Sequence, residues 1–487
     1  MLMMVLSDMV SNYINILRFQ LPYLNITVLS LASDYRSKMT DITLISSSTV
    51  RPQIINQQGR EKIHLTPFDL NFLYVDYTQR GLLFPKPDPE THFISRLKTS
   101  LSSALDIYFP FAGRLSKVEN HEDDTVSFYI NCNGSGATFI HAVAESISVS
   151  DLLQPDGSVP DFSRIFYPMN GVKSIDGVSE PLLGLQVTEM RDGVFIGFGY
   201  NHMVADGASI WNFFKTWSKI CSNGQPENLQ PLALKGWFVD GMDFPIHIPV
   251  SETETPPPSN ELSPTFKERV FHFTKKNISD LKAKVNSEIG SSDHKVSSLQ
   301  AVSAHMWRSI IRHNGLNQEE KTRCFVAVDL RQRLNPPLEK ECFGHVIYNA
   351  IATTTVGELQ GQGLGWAFLQ INNMLRSLTN EDYRIWAENW VRNMKIQKSG
   401  LGSKMTRDSV IVSSSPWFEV YDNDFGWGKP IAVRAGPSNS ISGKLVLFRG
   451  IEEGCIDVHA DVHATLWSDV LVKLLADVEF MENVTVT

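Results

Sequence analysis

The residues best suited to chemistry lie in one stretch near the middle of the chain, where His202 is followed by Asp206 and Gly207. Residues 193–200, just before them, alternate large apolar and small side chains and predict a buried strand. From Ser209 onward, apolar side chains recur with helical spacing. We therefore expect His202 and Asp206 in a turn between a strand and a helix, where α/β proteins often place reactive groups.

A histidine in such a turn can work as a general base, because its ordinary pKa of about 6.5 allows it to accept a proton from an alcohol or amine. Asp206 and Gly207 suit a structural task, in which the carboxylate caps the helix and pairs with a cation. A solvated helix face or a buried structural histidine would give the same pattern. We predict no metal site, because a third ligand at recognisable spacing is missing.

Composition narrows the function classes. The chain has 487 residues, of which 42% are hydrophobic and 20% are charged, so we expect a globular protein of more than one domain. Lys and Arg number 44 against 53 Asp and Glu, which disfavours nucleic acid and anionic membranes as partners. The five cysteines form no C-x-x-C pair, which argues against a disulfide framework or a zinc site and favours a reducing, cytoplasmic location.

Prolines divide the chain. They accumulate in residues 223–265, which we interpret as a crossover linker between an N-terminal domain, 39–222, and a C-terminal domain, 266–487. Both domains mix predicted strands and amphipathic helices, so we expect α/β or α+β structure in each. Residues 1–38 contain no uninterrupted apolar run long enough for a membrane span. We expect them to be a loosely ordered extension, or to precede a native start at Met39.

A second motif, Asp424-Phe-Gly-Trp-Gly428, follows near the C-terminus. Together with His202-Met-Val-Ala-Asp-Gly207, it makes the chain resemble the plant BAHD acyltransferases, whose two hallmark motifs stand in this order. Further stretches match the family from Met39 onward, including Leu65-Thr-Pro-Phe-Asp-Leu70, Tyr108-Phe-Pro-Phe-Ala-Gly-Arg-Leu115 and Val328-Asp-Leu-Arg331. Other stretches resemble a subgroup of uncharacterised acetyltransferases, which also includes a member linked to cutin and a relative repurposed as a lyase.

The resemblance implies two similar α/β domains like those of chloramphenicol acetyltransferase, with a channel at their interface that reaches His202 from both ends. No cofactor is expected to be resident. Acyl-CoA would be a co-substrate, and a hydroxyl or amine of a small specialised metabolite would be the acceptor. His202 would deprotonate this acceptor, which attacks the thioester without an acyl-enzyme. A monomer is expected.

The resemblance also implies roles for other residues. Asp206 would be structural and would pair with Arg331, while Asp424, Gly426 and Gly428 would hold the domain arrangement away from the substrate. The acyl site would be lined by three serines, Ser413, Ser414 and Ser415. Lys295, Ser297 and Ser298 would contact coenzyme A, although the serines would equally suit a helix cap.

Three departures from the family pattern bear on the substrate. His345 replaces the asparagine of the usual Phe-Gly-Asn motif, and Arg449 replaces the proline of the common Tyr-Pro-Gly motif. His459 and His463 are spaced so that both lie on one face of a strand. We interpret these two histidines as ordinary strand residues. A lyase on the same fold, acting on an ester or amide without coenzyme A, and a non-catalytic receptor remain alternatives. A serine hydrolase is disfavoured, because the chain has no Gly-x-Ser-x-Gly elbow.

Overall fold

The computed structural model describes residues 42–53, 62–224, 232–236, 238–239, 241–253, 266–290, 295–396, 407–413, 415–463 and 485–486. The predicted extension 1–38 lies outside the described residues, as does Ser414. No described helix combines the length and the apolar character that crossing a bilayer requires.

The N-terminal half is built on a six-stranded mixed sheet with the order β1-β6-β7-β8-β3-β14. Strand β8 is buried throughout, as its apolar sequence predicts, and β7 beside it is buried except at one residue. A small second sheet, formed by β2, β5, β4 and β9, packs beside it. The strands are β1 Thr43–Val50, β2 Lys62–His64, β3 Thr78–Pro85, β4 Arg114–Asn120, β5 Thr125–Asn131, β6 Ala137–Ala144, β7 Leu183–Met190, β8 Gly193–Tyr200, β9 Ile248–Pro249 and β14 Ala432–Ala435.

The C-terminal half is built on a seven-stranded sheet with the order β12-β11-β13-β15-β16-β10-β17. Strands β11, β13 and β15 run parallel, and the remaining pairs are antiparallel. The strands are β10 Phe266–Phe273, β11 Lys321–Asp329, β12 Ile347–Thr355, β13 Ser409–Ser413, β15 Lys444–Arg449, β16 Ile456–His463 and β17 Thr485–Val486.

Helices cover these sheets. Two amphipathic helices, of the kind that the apolar spacing predicts in both halves, are observed at 93–107 and 298–313. The helices are α1 Pro67–Leu70, α2 Phe93–Ile107, α3 Val149–Leu152, α4 Gly207–Asn223, α5 Val250–Thr253, α6 Lys275–Ile289, α7 Ser298–His313, α8 Val356–Gly361, α9 Gly363–Ser377 and α10 Asn380–Arg392.

The two halves are joined by more than the crossover. Strand β14 comes from the C-terminal half but pairs antiparallel with β3 of the N-terminal sheet. The described part of the predicted linker also packs on both sides: β9 pairs with β5, and Leu234 bridges to Phe343. A boundary at 223–265 therefore assigns β14 to the C-terminal domain, although this strand belongs to the N-terminal sheet.

The second motif attaches the segment before β14 to the N-terminal half. Phe425 is fully buried, and its ring lies 4.7 Å from Trp217 and 5.8 Å from Phe84, both in the N-terminal half. Trp427 stacks on Phe425 at 5.6 Å. The Asp424 carboxylate accepts hydrogen bonds from the backbone N–H groups of the two glycines of the motif, and this closes the turn. The motif is therefore a hydrophobic anchor on a tight loop.

We predict that Phe425→Ala destabilises the protein by about 3–5 kcal/mol, because it removes a buried ring and leaves a cavity between the two halves. Trp417→Ala is the matched control, since its side chain is 72% exposed. Thermal unfolding should show a clear fall in Tm for the first variant and little change for the second. Equal Tm values for the two variants would contradict an anchoring role.

Candidate active site

The predicted turn joins the end of β8, at Tyr200, to the start of α4, at Gly207. Asp206 is the N-cap of α4, and its Oδ1 accepts a hydrogen bond of 3.0 Å from the backbone N–H of Ser209. This satisfies one of the donors that a helix N-terminus leaves open. His202 lies in the turn itself, four residues before the cap.

Asp206 is paired with Arg331 across the interface between the halves. Nη1 of Arg331 donates to Asp206 Oδ2 at 2.8 Å and Nη2 donates to Oδ1 at 3.1 Å, which makes the pair bidentate. Both side chains are buried. Burial alone would raise the pKa of Asp206, but the guanidinium outweighs it and lowers the pKa to about 2. Asp206 is therefore ionised at neutral pH and engaged away from proton transfer.

The pair also fixes the loop that carries His345. Val346 donates its backbone N–H to Asp206 Oδ2 at 3.1 Å, and Arg331 donates to the Gly344 carbonyl at 3.2 Å. The Ser209 hydroxyl accepts from the N–H of Gly344 and donates to its carbonyl. Gly344 has φ +144°, and a Cβ there would lie 2.6 Å from the Lys235 side chain, so this loop requires glycine.

A second buried ion pair supports the same loop. Lys235, in the described part of the crossover, lies 2.5 Å from Asp69 and donates to the His345 carbonyl at 3.2 Å. Burial outweighs the effect of Lys235 and raises the pKa of Asp69. The sequence analysis missed this pair, since 166 residues separate its members. The motif Leu65-Thr-Pro-Phe-Asp-Leu70 was the only available signal.

His202 and His345 face each other. Their Nδ1 atoms are 3.2 Å apart, and Nδ1 of His345 also lies 2.9 Å from the His202 carbonyl. Because a carbonyl oxygen only accepts, Nδ1 of His345 carries a proton. The Phe72 ring lies 4.9 Å from His202 and 4.5 Å from His345, so it packs against both imidazoles.

Both imidazoles are held neutral. Burial lowers the pKa of His202 below its ordinary 6.5, and the positive charge of Arg80 acts in the same direction, while Asp206 opposes it. Burial also places the pKa of His345 well below 6.5, and a charge on His202 would lower it further. A neutral imidazole is the form that can accept a proton, so His202 is suited to general-base chemistry at pH 7.

A cavity of about 480 Å³ lies between the two halves and opens onto His202. Its wall is largely aromatic and aliphatic, and both sheets contribute to it. Its volume falls in the range typical of small-molecule sites. The lining residues include Phe72, Arg80, Tyr200, His202, Trp211, Asp329, His345, Ser413, Ser415, Phe418, Ser438 and Lys444.

The other predicted residues fall into two groups. Ser413, Ser415 and Gly207 line the cavity. Lys295 is exposed, and Ser297 caps α7 by accepting from the Gln300 N–H at 3.2 Å. Neither these two nor Ser298 lines the cavity, and Asp424, Gly426 and Gly428 do not line it either.

The predicted strand histidine His459 belongs to a buried charged cluster. Its Nδ1 accepts from the Ala435 N–H at 3.2 Å, so Nε2 carries the proton that faces Glu268 at 3.1 Å. In this cluster, the side-chain atoms of Glu268, His459 and Asp461 that could bind a metal lie within 4.8 Å of one another. Lys444 already places an ammonium 3.5 Å from Asp461. The side chain of His463 lies outside the described residues.

The family model described as Transferase family matches residues 40–481. An uncharacterized acetyltransferase of Arabidopsis thaliana is 90% identical over 445 residues, which cover 91% of this chain and 100% of that protein. The BAHD acyltransferase DCR of the same plant is 31% identical, over 87% of this chain and 89% of its own. The chain belongs to the plant BAHD acyltransferase family.

This confirms the resemblance on which the sequence analysis relied. Among solved structures, vinorine synthase matches this BAHD chain with a TM-score of 0.65 at 19% identity, over 89% of this chain and 98% of that one. TRI101 of F. sporotrichioides, solved with coenzyme A and T-2, matches with a TM-score of 0.70 at 19% identity, over 87% and 99%. The predicted two-domain α/β fold is confirmed.

We predict that Arg331→Gln lowers the free energy of unfolding by about 3–5 kcal/mol at pH 7, because it leaves a buried carboxylate unpaired. The pKa of Asp206 is depressed from 3.8 to about 2, so the contribution of the pair is complete above pH 3.8 and is lost as the pH falls through about 2. Denaturant unfolding across this range should therefore show the two proteins converging in acid.

Arg384→Gln is the matched control, since its partner Glu381 is exposed and the pair is on the surface. We expect no measurable change at any pH. A deficit in Arg331→Gln that stays constant between pH 7 and pH 2 would contradict this assignment of the Asp206 charge.

Proposed function

We propose that this BAHD protein transfers an acyl group from acyl-CoA to a hydroxyl or amine of a small metabolite, with His202 as the general base. The observation that carries the proposal is a neutral imidazole in the wall of a cavity between two halves. The relatives support the donor class. A Dahlia pinnata relative, 26% identical, is a malonyl-coenzyme A:anthocyanin 3-O-glucoside-6''-O-malonyltransferase.

In the proposed reaction, the acceptor O–H or N–H gives its proton to the His202 imidazole as its oxygen or nitrogen attacks the thioester carbonyl. The tetrahedral intermediate then collapses, the C–S bond breaks, and the coenzyme A sulfur takes the proton from the imidazolium. The products are an ester or amide and free coenzyme A thiol. The negative charge of Asp206 raises the pKa of His202 in part and so favours the imidazolium while it exists.

The remaining predicted contacts follow from the family resemblance. Ser413 and Ser415 lie in the cavity wall, where we propose that they face the acyl group. We propose that Lys295, Ser297 and Ser298 contact the phosphates of coenzyme A at the start of α7, where backbone N–H groups favour anions. These residues lie outside the cavity. A phosphate site there is consistent with a long donor such as acyl-CoA, whose phosphates are far from its thioester.

We predict that His202→Ala lowers kcat/KM for acyl transfer by about 10²–10⁴-fold, because it removes the group that accepts the proton. His121→Ala, at an exposed position, is the matched control and should leave kcat/KM unchanged. Free thiol release from a panel of acyl-CoA donors against alcohol and amine acceptors would be measured, with product masses. Wild-type turnover by His202→Ala would remove the general base from the proposal, and turnover without coenzyme A would favour the lyase.

His345 is a positioning residue in this scheme, since its ring N–H holds the carbonyl of His202. We predict that His345→Ala lowers kcat by roughly tenfold or less with little change in KM, as expected for the loss of one buried hydrogen bond. His345→Asn should recover most of the loss, because an amide N–H can donate to the same carbonyl. Equal kcat values for the Ala and Asn variants would contradict the positioning role.

A further inference from the structure

Arg80 places a positive charge in the cavity wall without an acidic partner. It lies on β3, is partly buried, and lines the same cavity as His202. The hydrogen bond it makes is from Nη1 to the carbonyl of Gln79, its own neighbour, at 2.7 Å. No carboxylate of the described residues forms an ion pair with it, in contrast to the bidentate partner of Arg331.

Such an arrangement is unfavourable for the free protein. Removing a guanidinium from water without a counter-charge costs free energy, and burial lowers the pKa of Arg80 accordingly. The Phe448 ring, 5.9 Å from the guanidinium, offers only a weak cation–π contact. Four of the five donors of a guanidinium thus remain for another acceptor.

The neighbouring charges are already engaged. Lys444, which also lines the cavity, lies 3.5 Å from Asp461 and donates to the Ser438 carbonyl at 3.2 Å. Asp329, a carboxylate in the lining, lies 3.1 Å from Arg331. Asp461, whose negative charge also acts on Arg80, pairs with Lys444 and forms no ion pair with Arg80. Among the described residues, Arg80 is therefore a cation of the lining that has no carboxylate within ion-pair distance.

We infer that Arg80 binds a carboxylate of the substrate, so that this enzyme acts on an acidic metabolite or transfers a dicarboxylic acyl group. A guanidinium matches a carboxylate in a bidentate geometry. The aromatic wall, with Phe72, Trp211 and Phe418, suits an apolar body attached to that carboxylate. This inference rests on the proposed function.

The phosphates of coenzyme A are a poorer match. The pantetheine arm separates them from the thioester, whereas Arg80 lines the same cavity as His202. Tyr200, in the cavity wall, pairs with Thr78 two residues before Arg80 and packs 5.7 Å from the His202 ring. The cation is therefore placed for a group near the reacting atoms.

The test compares two probes of one shape, trans-cinnamate and the neutral trans-cinnamamide, by calorimetric titration of the full chain at pH 7. The wild type should bind cinnamate at least tenfold more tightly than the amide. Arg80→Gln should abolish this preference, a loss of about 10–100-fold that corresponds to one charged hydrogen-bonded contact. Arg80→Lys should retain part of it. Equal binding of the two probes by the wild type, or no binding of cinnamate, would overturn the proposal.

Arg434→Gln is the matched control. Arg434 is also partly buried and donates to its neighbouring carbonyl, at 3.0 Å, but lies on β14 opposite Gly81 and does not line the cavity. Successive residues point to opposite faces of a strand, so the two arginines face different sides of the sheet. This variant should keep the preference for cinnamate, and loss of the preference here would attribute the effect to general destabilisation and overturn the assignment.

The source of the carboxylate is decided by kinetics. If Arg80→Gln lowers kcat/KM with malonyl-CoA but not with acetyl-CoA, the carboxylate is on the acyl group. If it lowers kcat/KM only for acidic acceptors, the carboxylate is on the acceptor. A uniform decrease across neutral and acidic substrates would contradict both. The binding test does not depend on turnover, so failure of the His202 mechanism and failure of the Arg80 site are separately visible.

Discussion

The buried pair of Asp206 and Arg331 is the interaction on which the site depends. It caps the helix after the turn of His202, and it holds the loop of Gly344 through backbone hydrogen bonds. Because the two residues come from different halves of the chain, the pair also joins those halves. A buried ion pair contributes little when it is compared with an apolar replacement, but losing one partner is costly. The geometry of the turn therefore requires both residues.

The pair leaves the acid–base chemistry to the imidazoles. The carboxylate of Asp206 is occupied by Arg331, while burial lowers the pKa of His202 and His345. The neutral state of His202 at pH 7 follows from its desolvation in the cavity wall. Its position follows from the contacts of Phe72 and His345 with its ring and backbone. Desolvation thus determines the protonation state of His202, and packing determines its position.

A second connection completes the interface. Phe425 packs into the N-terminal core beside Trp217, and β14 extends the N-terminal sheet. The chain then returns to the C-terminal sheet through β15, where Lys444 enters the cavity wall. The cavity is therefore formed by a segment that crosses between the halves. Arg80, which has no ion-pair partner among the described residues, lies next to this segment on β3, the strand that β14 joins.

The local features were predictable from the sequence. The spacing of the apolar residues and the capping residue Asp206 predicted β8, the turn and α4. Strand alternation, helical spacing and an N-cap all involve residues that are close in the sequence. The family resemblance indicated the fold and named Arg331 as a candidate partner. The roles of Lys235, His345 and Arg80 were not predictable, because their contacts join segments distant in the chain. Burial and missing counter-charge depend on which side chains converge, and only sheet register and helix packing decide that.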